Sequence, residues 1–411
     1  MISANAQYWI WLTKAIGYCT PKAKALWERY PDITAFFKNV KTESRLCGLF
    51  TTKEADALCN ENFLRDAEKV IKRCQYLGYS VLTIDDEAYP ERLHHIYDPP
   101  AVLYIWGKLP DFDEHLSVGI VGTRKASRYG LENSYKFGYS LAKYNVVVVS
   151  GGAWGVDCAS HRGVLAAGGV TVCVRGCGIN NAYMRDNADM RRAITNKGAV
   201  ISEYLPDESA RNYYFPQRNR IIAALSDGVL LIEAGERSGS LITANLALEM
   251  GKDVFALVGN NSPQNKGSNQ RIKENSAAAV TDFMDILAYY NSDAEPGGFD
   301  VDEISFADID KIPVKPSTYT KRIAKKPAPK PPAAKPVKDV NPKPAQQNIE
   351  KNVQLEGDAK TVYEYLGAEP IHIDTIAGDL KLPVFRALSA LTLLEMEGLV
   401  QAHQGRNFSL K

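Results

Sequence analysis

The middle of the chain alternates short apolar runs with longer segments of helical periodicity. Uninterrupted apolar strands separated by helices are typical of a parallel sheet that is covered on both faces. Glycine follows several of the runs, at the strand ends where open α/β sheets bind ligands. The pattern predicts an α/β domain over residues 76–290, with core strands SVGIV (117–121), VVVVS (146–150), VTVCV (170–174), AVIS (199–202), GVLLI (228–232) and DVFALV (253–258).

Apolar positions before this domain follow a helical spacing. Trp9, Leu12 and Ile16 recur at the period of one helix face, and so do Phe63, Ala67 and Val70. Residues 1–75 are therefore predicted to form a helical domain. The bridge to the first core strand holds strand-like VLTI (81–84) and VLYIW (102–106), with the chain-breaking Asp98-Pro99-Pro100 between them.

The globular pattern stops after residue 290. Residues 292–310 contain seven acidic side chains, and residues 311–346 contain ten Lys or Arg and many prolines. Such composition predicts a disordered, charge-segregated linker over 291–352. It leaves two interpretations open, a solvated spacer or a tether for nucleic acid.

Residues 353–411 resume a folded pattern. The predicted elements resemble a winged helix: three helices over 358–366, 373–380 and 383–397, followed by a hairpin over 399–410. Pro383 suits a helix start, Gly398 suits the end of the last helix, and Gln404-Gly405 suits the hairpin turn. Residues 351–411 carry six basic and eight acidic side chains, and the third helix has one Arg and two Glu. Because duplex binding depends on Lys and Arg, a protein contact or a structural role is favoured over it.

Composition narrows the class of protein. The 411 residues are 45% hydrophobic and 24% charged, with a net charge of +1, which excludes polyanion binding by bulk charge but not by a local basic patch. No apolar run approaches the ~20 residues of a membrane helix, and the first residues lack the pattern of a secretory signal. Seven cysteines without a CxxC pair suggest reduced thiols in the cytoplasm, and no metal site is expected.

Four strand-end loops carry side chains that suit phosphate. The first, with Arg124, and the second, rich in glycine, follow predicted strands; small residues and the next helix N-terminus let N–H groups approach an anion. A tight turn with a solvated arginine remains an alternative for the first loop. Trp154 suits base stacking or burial, Asp157 suits a helix cap, and His161 suits packing rather than catalysis.

The third element, FPQRNRIIAALS (215–226), is the most informative. Arg218 and Arg220 in the predicted first turn oppose the helix dipole, so an anion explains them better than helix stability does. Phe215 before them offers a stacking face. The fourth, with Ser238 and Ser240, is favoured for phosphate over a simple cap. The predicted DNA contacts are Gly122, Thr123, Arg124, Lys125, Ser150, Gly151, Gly152, Phe215, Arg218, Asn219, Arg220, Ser238, Gly239 and Ser240.

Catalytic motifs are scarce. The sequence has no Gly-x-Ser-x-Gly elbow, no His-Glu-x-x-His and no Walker lysine loop. The first loop lacks the G-x-G-x-x-G spacing of dinucleotide binders, which disfavours NAD. No cofactor and no catalytic residue are therefore predicted.

The ordered motifs GTRKAS (122–127), SGGAWGVDCASH (150–161), FPQRNRIIAALS (215–226), EAGERSGSLITANLALEMGKDVFALVG (233–259) and GSN (267–269) resemble those of the DprA/Smf family of DNA-processing proteins. The resemblance covers about 76–280. It implies an extended Rossmann-like, mostly parallel core, a helical N-terminal domain (SAM-like or helix-hairpin-helix-like) and a winged helix. It also implies sequence-independent binding of single-stranded DNA, protection of incoming strands in natural transformation, loading of the RecA recombinase and a homodimer, without catalysis or membrane insertion.

Three positions depart from the family pattern, one of them Asn260, which follows Gly259 where the core usually closes on Val-Pro-Gly. Asn180 stands where the family usually has Asp, and Met184 where it usually has Pro, which alters either a pocket wall or only a loop. Two alternatives also remain. A phosphoribohydrolase-like enzyme would use Glu233 or Glu249, although the Pro-Gly-Gly-x-Gly-Thr signature is absent at 233–243. A nucleotide sensor would bind a mononucleotide and signal through the winged helix.

Overall fold

The computed structural model describes residues 1–290, 304–315 and 357–410, the last range without 381, 383–386, 388–389, 392–393, 396–398 and 404–406. These residues belong to two compact units, one up to Lys315 and one from Gly357.

The first unit is built on one sheet of nine strands in the order β1-β2-β6-β5-β4-β3-β7-β8-β9. The strands from β3 onward are parallel, while β1 and β2 join antiparallel at one edge, next to β6. The strands are β1 Ser80–Thr83, β2 Val102–Gly107, β3 Ser117–Val121, β4 Val147–Ser150, β5 Thr171–Val174, β6 Ala199–Ser202, β7 Gly228–Leu231, β8 Asp253–Leu257 and β9 Ala278–Val280. The predicted α/β fold and all six core strands are confirmed.

The order of the strands creates one special point in the sheet. From β3 the chain proceeds outward through β4, β5 and β6, then returns to the other side of β3 and continues through β7, β8 and β9. At such a switch the loops after β3 and β7 diverge to opposite faces and leave a crevice between them. The fold thus predicts a ligand site at the carboxyl ends of β3 and β7.

Helices cover both faces because the core strands are apolar on both sides. Val118 and Ile120 of β3 belong to the cluster that includes Phe137 and Phe283, whereas Val121 belongs to the cluster on the opposite face. The helices after β3 are α8 Arg128–Lys143, α9 Val156–Ala166, α10 Ala188–Ile194, α11 Tyr214–Leu225, α12 Ser240–Glu249, α13 Lys266–Lys273 and α14 Phe283–Tyr289.

The N-terminal helices share a core with the sheet. Trp9, Ile10 and Leu12 are fully buried in the same apolar cluster as Tyr104 of β2 and Ile201 of β6. The helical head and the sheet edge are therefore continuous in packing. Its helices are α1 Ala6–Ile16, α2 Lys22–Arg29, α3 Ile33–Lys38, α4 Val40–Leu46, α5 Thr52–Leu58, α6 Glu61–Leu77 and the short α7 Glu91–His94.

Part of the predicted linker is folded. Residues 304–315, here called the docked segment, pack on the α8 and α9 side of the sheet and contain a 3₁₀ turn at Ile309–Lys311. Ile304, Ile309 and Ile312 are buried. The prediction of disorder does not hold for these residues. It was based on the composition of the whole linker, in which a few apolar side chains spaced among acidic ones have little weight. The rest of 291–352 lies outside the described residues.

The second unit has the elements of a winged helix. Helices Gly357–Tyr365 and Ile373–Asp379 pack with a three-stranded sheet, and Val362, Ile376 and Phe408 lie in its core. The strands are Ile371–His372, Val400–His403 and Asn407–Leu410, the last two antiparallel. Ala387, Ala390, Leu391 and Leu394 mark the third helix. Pro383, Gly398 and the Gln404-Gly405 turn lie outside the described residues.

Candidate nucleic-acid interface

A groove of about 430 Å³ lies at the carboxyl ends of β3 and β7, at the switch point of the sheet. We call it the strand-end groove. The loop after β3, the first residues of α11 and the start of α12 form its walls. Ten of the predicted contacts line it: Gly122, Thr123, Arg124, Lys125, Phe215, Arg218, Asn219, Ser238, Gly239 and Ser240.

The remaining predicted contacts separate into two groups. Gly151 and Gly152 line a smaller cavity beside the groove, which shares Arg124, Phe215 and Arg218 with it. Ser150 and Arg220 line neither cavity. Ser150 is fully buried, and its hydroxyl donates to the carbonyl of Ile120 at 2.6 Å, so its side chain joins β4 to β3.

Local charge in the groove differs from that of the whole chain. Arg124, Lys125, Arg218 and Lys315 line it, whereas Asp157 is the carboxylate among its described lining residues. The groove therefore combines four basic side chains with one acidic side chain, although the chain has a net charge of only +1. A concave surface of one charge sign attracts counter-ions strongly. This arrangement suits a polyanion.

Arg124 lies over an aromatic ring. Its guanidinium carbon is 5.1 Å from the centroid of Phe215, and Tyr183 packs against the same ring at 5.1 Å. Phe215 is only partly buried. A cation over an aromatic face restrains both groups, and a restrained pair loses less entropy when a ligand binds. One cation and one stacking face are thus held at the same end of the groove.

Arg218 forms the floor between the two cavities. Its side chain is 4% exposed, Nη1 donates to the carbonyl of Val174, and Nε has no hydrogen-bond partner among the described residues. Burial lowers the pKa of Arg218, and the nearby charge of Asp157 opposes that shift. An incompletely paired buried cation favours an anion above it. Its contribution is electrostatic, because the guanidinium is largely covered.

Arg220 faces the other way. Its guanidinium makes a bidentate pair with Glu203, at 2.8 Å for both contacts, and an ion pair with Asp98 at 3.1 Å. Burial would lower the pKa of Arg220, but the charge and hydrogen bonds of Glu203 raise it instead. This prediction is corrected: the structure places Arg220 in a buried ion pair that joins α11 to β6 and to the chain before β2. Helix α11 also begins at Tyr214, two residues before Pro216.

Helix N-termini near the groove are partly occupied by the protein's own acceptors. Glu233 accepts from the N–H and hydroxyl of Ser127, the cap residue of α8, at 2.9 and 2.6 Å. At the start of α9, the N–H groups of Gly155 and Val156 donate to backbone carbonyls. These donors are therefore used within the protein. Helices α11 and α12 both begin at the groove. At the start of α12, the N–H of Ser240 donates to Oγ of Ser238 at 3.4 Å, and the next two N–H groups donate to backbone carbonyls.

The second loop is held by its own polar groups. Gly155, in the left-handed region at φ 76°, is the residue before α9, and Asp157 accepts from the N–H of Ala153 at 3.3 Å. Burial raises the pKa of Asp157, with Arg218 opposing the shift. His161 is fully buried and bonds Thr171 at 2.8 Å, and burial lowers its pKa to about 3. Its packed, neutral role matches the expectation.

The two departures from the family pattern within residues 178–187 lie in different places. Met184 lines the smaller cavity and adopts φ 55°, a left-handed conformation that proline cannot take. Its carbonyl accepts from Arg191 at 3.0 Å. Asn180 lies outside both cavities, and its amide donates to Asp207, which also pairs with Arg73 of the head. The first departure therefore changes a cavity wall, and the second changes a loop near the head.

The carboxylates proposed for an enzyme lie elsewhere. Glu233 is buried under α8 and caps it, and Glu249 lies exposed near the end of α12. Neither lines the strand-end groove.

Among the described residues no cluster of His, Cys, Asp and Glu could hold a metal ion. Within the same residues, no helix combines the length and apolar character required to cross a bilayer.

Family models match most of the folded regions. Residues 80–291 match the model described as DNA recombination-mediator protein A, and residues 341–406 match the DprA winged helix domain. The first match contains every residue of the groove except Lys315.

Three known proteins are similar to the chain. The DNA processing protein DprA of Bacillus subtilis is 34% identical over 57% of this chain and 80% of its own. The crystal structure of DprA from Streptococcus pneumoniae is 34% identical, covers 69% of this chain and 97% of that one, and has a TM-score of 0.54. A Helicobacter pylori DNA processing protein A, studied for its single-stranded DNA binding mode, is 30% identical over 53% of this chain and 97% of its own, with a TM-score of 0.48. The chain belongs to the DprA/Smf family of DNA-processing proteins.

Proposed function

We propose that the chain binds single-stranded DNA in the strand-end groove with little sequence preference. The observation that carries the proposal is the stack of Arg124 on Phe215, above the buried charge of Arg218. A cation for phosphate and an aromatic ring for a base are in contact there, and single-strand binding combines these two kinds of group. The hydroxyls of Ser238 and Ser240, at the start of α12, line the same groove and supply further polar groups for phosphate.

The groove chemistry favours an unpaired strand over a duplex. The ring of Phe215 can stack only on a base that is not already stacked on its neighbours in a duplex. Phosphate contacts and stacking carry little base information, so binding tolerates any sequence. If three phosphates are neutralised, the logarithm of the affinity falls with the logarithm of salt concentration with a slope of about −2.

Membership of the family supports a role in recombination. We propose that the bound strand is an incoming one in the cytoplasm, that the protein protects it during natural transformation, and that a homodimer helps to load RecA recombinase onto it. The expected result is faster RecA filament assembly on strands that carry single-strand-binding protein. Equal assembly rates with and without the chain would refute the RecA part while leaving DNA binding intact.

The groove is tested by fluorescence anisotropy with a labelled oligothymidine and a matched duplex at two salt concentrations. Wild type is expected to bind the single strand tightly and the duplex weakly, and Arg124→Ala to lose most of the single-strand affinity. Arg45→Ala is the matched control, since Arg45 is an exposed arginine paired with Asp56 that does not line the groove. Equal affinity in wild type and Arg124→Ala would exclude the groove.

The same samples discriminate the two alternatives. Release of free base from nucleoside monophosphates would support a phosphoribohydrolase, and saturable mononucleotide binding without preference for longer strands would support a sensor. The position of Glu233 and Glu249 outside the groove argues against the enzyme.

A further inference from the structure

The strand-end groove has a wall that lies beyond the family's core motifs. Lys315, at the end of the docked segment, lines the groove with Arg124 and Ser238. Resting on the proposed function, we propose that Lys315 is a further phosphate contact for the single strand, and that the docked segment positions it. Lys315 is exposed, and none of the ion pairs among the described residues involves it.

Apolar anchors hold the segment on the core. Ile309 and Ile312 are 2% and 5% exposed, and they pack in one cluster with Cys158 of α9 and Met190 of α10. Phe306 packs edge-on against Tyr135 of α8. Burial of these side chains removes apolar surface from water, which favours the docked position of the segment. These apolar contacts therefore hold the segment against α8, α9 and α10.

Backbone hydrogen bonds then fix the end of the segment against the groove loops. The N–H of Gly155 donates to the carbonyl of Pro313 at 2.9 Å, and the N–H of Lys315 donates to the carbonyl of Arg124 at 2.7 Å. The second bond joins Lys315 directly to the residue that carries the proposed phosphate contact. The two cations thus lie on neighbouring backbone positions, although 191 residues separate them in sequence.

The acidic side chains of the segment do not oppose this role. Asp308 pairs with Lys311 at 2.5 Å, and Asp310 pairs with Arg128 at 3.4 Å. Neither aspartate lines the groove. Lys311 is an internal comparison, because it is an exposed lysine of the same segment that has a carboxylate partner and lies outside the groove.

The test measures oligothymidine affinity of the full chain across a series of salt concentrations. Lys315→Ala is expected to make the log–log salt slope shallower by about 0.7, the value for one phosphate on a single strand, whereas Lys311→Ala leaves it unchanged. Between about 50 and 200 mM salt, the affinity advantage of wild type over Lys315→Ala then shrinks roughly 2.5-fold. Lys315→Arg is expected to restore the wild-type slope.

A second variant tests the positioning role of the segment. Ile312→Asp places a charge in a buried site and detaches the segment, while circular dichroism checks that the rest of the unit is folded. It is expected to weaken binding as Lys315→Ala does, and the double variant is expected to be no weaker than either single one.

Three results would overturn the inference. They are an unchanged salt slope in Lys315→Ala, equal losses in Lys315→Ala and Lys311→Ala, and tighter binding by Ile312→Asp, which would mean that the segment obstructs the groove. If Lys315→Ala binds oligothymidine as wild type does while Arg124→Ala binds it weakly, only this inference fails. If wild type does not bind the oligothymidine at all, the proposed function fails with it.

Discussion

The guanidinium of Arg218 occupies the space that a side chain at position 151 would fill. A Cβ built on Gly151 would lie 2.6 Å from the Cζ of Arg218, closer than real Cβ contacts allow. The glycine of the second loop thus makes room for an arginine that comes from α11. This close approach, more than any direct contact with a ligand, explains glycine at this position.

Gly151→Ala is therefore expected to displace Arg218 from the floor of the groove. The guanidinium is the end of a flexible side chain beside two cavities, so it can move aside. We therefore expect a loss in unfolding free energy at the lower end of the roughly 1–3 kcal/mol that overpacking costs. Oligothymidine affinity is expected to fall several-fold with it. Chemical denaturation and anisotropy measure the two effects.

Gly239→Ala is the matched control, because Gly239 lines the groove at φ −63° and a Cβ there meets no atom within 4 Å. Its unfolding free energy is expected to stay within about 0.5 kcal/mol of wild type. A stable Gly151→Ala protein with normal DNA affinity would contradict the proposed use of this glycine.

Arg124 and Phe215 are expected to act as a coupled pair in DNA binding. Phe215→Ala removes a stacking face, which contributes roughly 1–3 kcal/mol per base. Because the guanidinium rests on that ring, loss of Phe215 also releases Arg124, so the double variant is expected to lose less than the sum of the single losses. Anisotropy of the four proteins in a double-mutant cycle measures the coupling. Tyr97→Ala, at an exposed tyrosine outside the groove, is the control, and strictly additive losses would argue against the pair.

Arg220→Ala is expected to destabilise the fold rather than the DNA complex. It leaves Glu203, which is 3% exposed, without its cation, and breaking a buried pair in this way costs about 3–5 kcal/mol. The exposed pair of Arg45 and Asp56 provides the comparison, with an expected cost below about 1 kcal/mol for Arg45→Ala. Urea denaturation measures both. An Arg220→Ala protein that is as stable as wild type but no longer binds DNA would show that Arg220 contacts DNA, as the sequence predicts.

The stability of the first unit is expected to fall with acid through His161. Burial lowers the pKa of His161 to about 3, whereas an unfolded chain binds this proton near pH 6.5. The unfolded state therefore takes up the proton first as the pH falls, and the native state loses stability from about pH 6.5 down to about 3. At pH 5 the loss from this group is about 2 kcal/mol.

His161→Gln removes the titrating group and is expected to flatten the pH dependence by that amount. Urea denaturation of wild type and variant at pH 7 and pH 5 isolates the contribution, because the other titrating groups are common to both proteins. An identical difference between the two pH values in both proteins would show that His161 is not buried in its neutral form.

The core strands could be predicted because both of their faces are buried, which makes each strand a continuous apolar run. The last strand, Ala278–Val280, was not predicted, since it has three residues and two of them are exposed alanines. Strands β1 and β2 were recognised, but periodicity does not encode pairing, and their antiparallel place beside β6 depends on tertiary packing.

The loops of the candidate site were predictable from glycine and arginine at strand ends, but the direction of each side chain was not. Arg218 and Arg220 are two positions apart on one helix, and residues at that spacing do not share a face. One therefore reaches the groove while the other pairs with Glu203. Lys315 was missed because it stands in a segment whose composition indicates a linker.

The pairing of β2 with β6 also sets an order of events on the ribosome. Gly107 pairs with Ala199, and at about 5–20 residues per second roughly 5–20 s pass between the synthesis of the two strands. The head and β1 can associate with β2 at once, since β1 and β2 are close in sequence. During that interval the other edge of β2 is an open template for foreign strands, so the nascent chain needs protection there until β6 emerges.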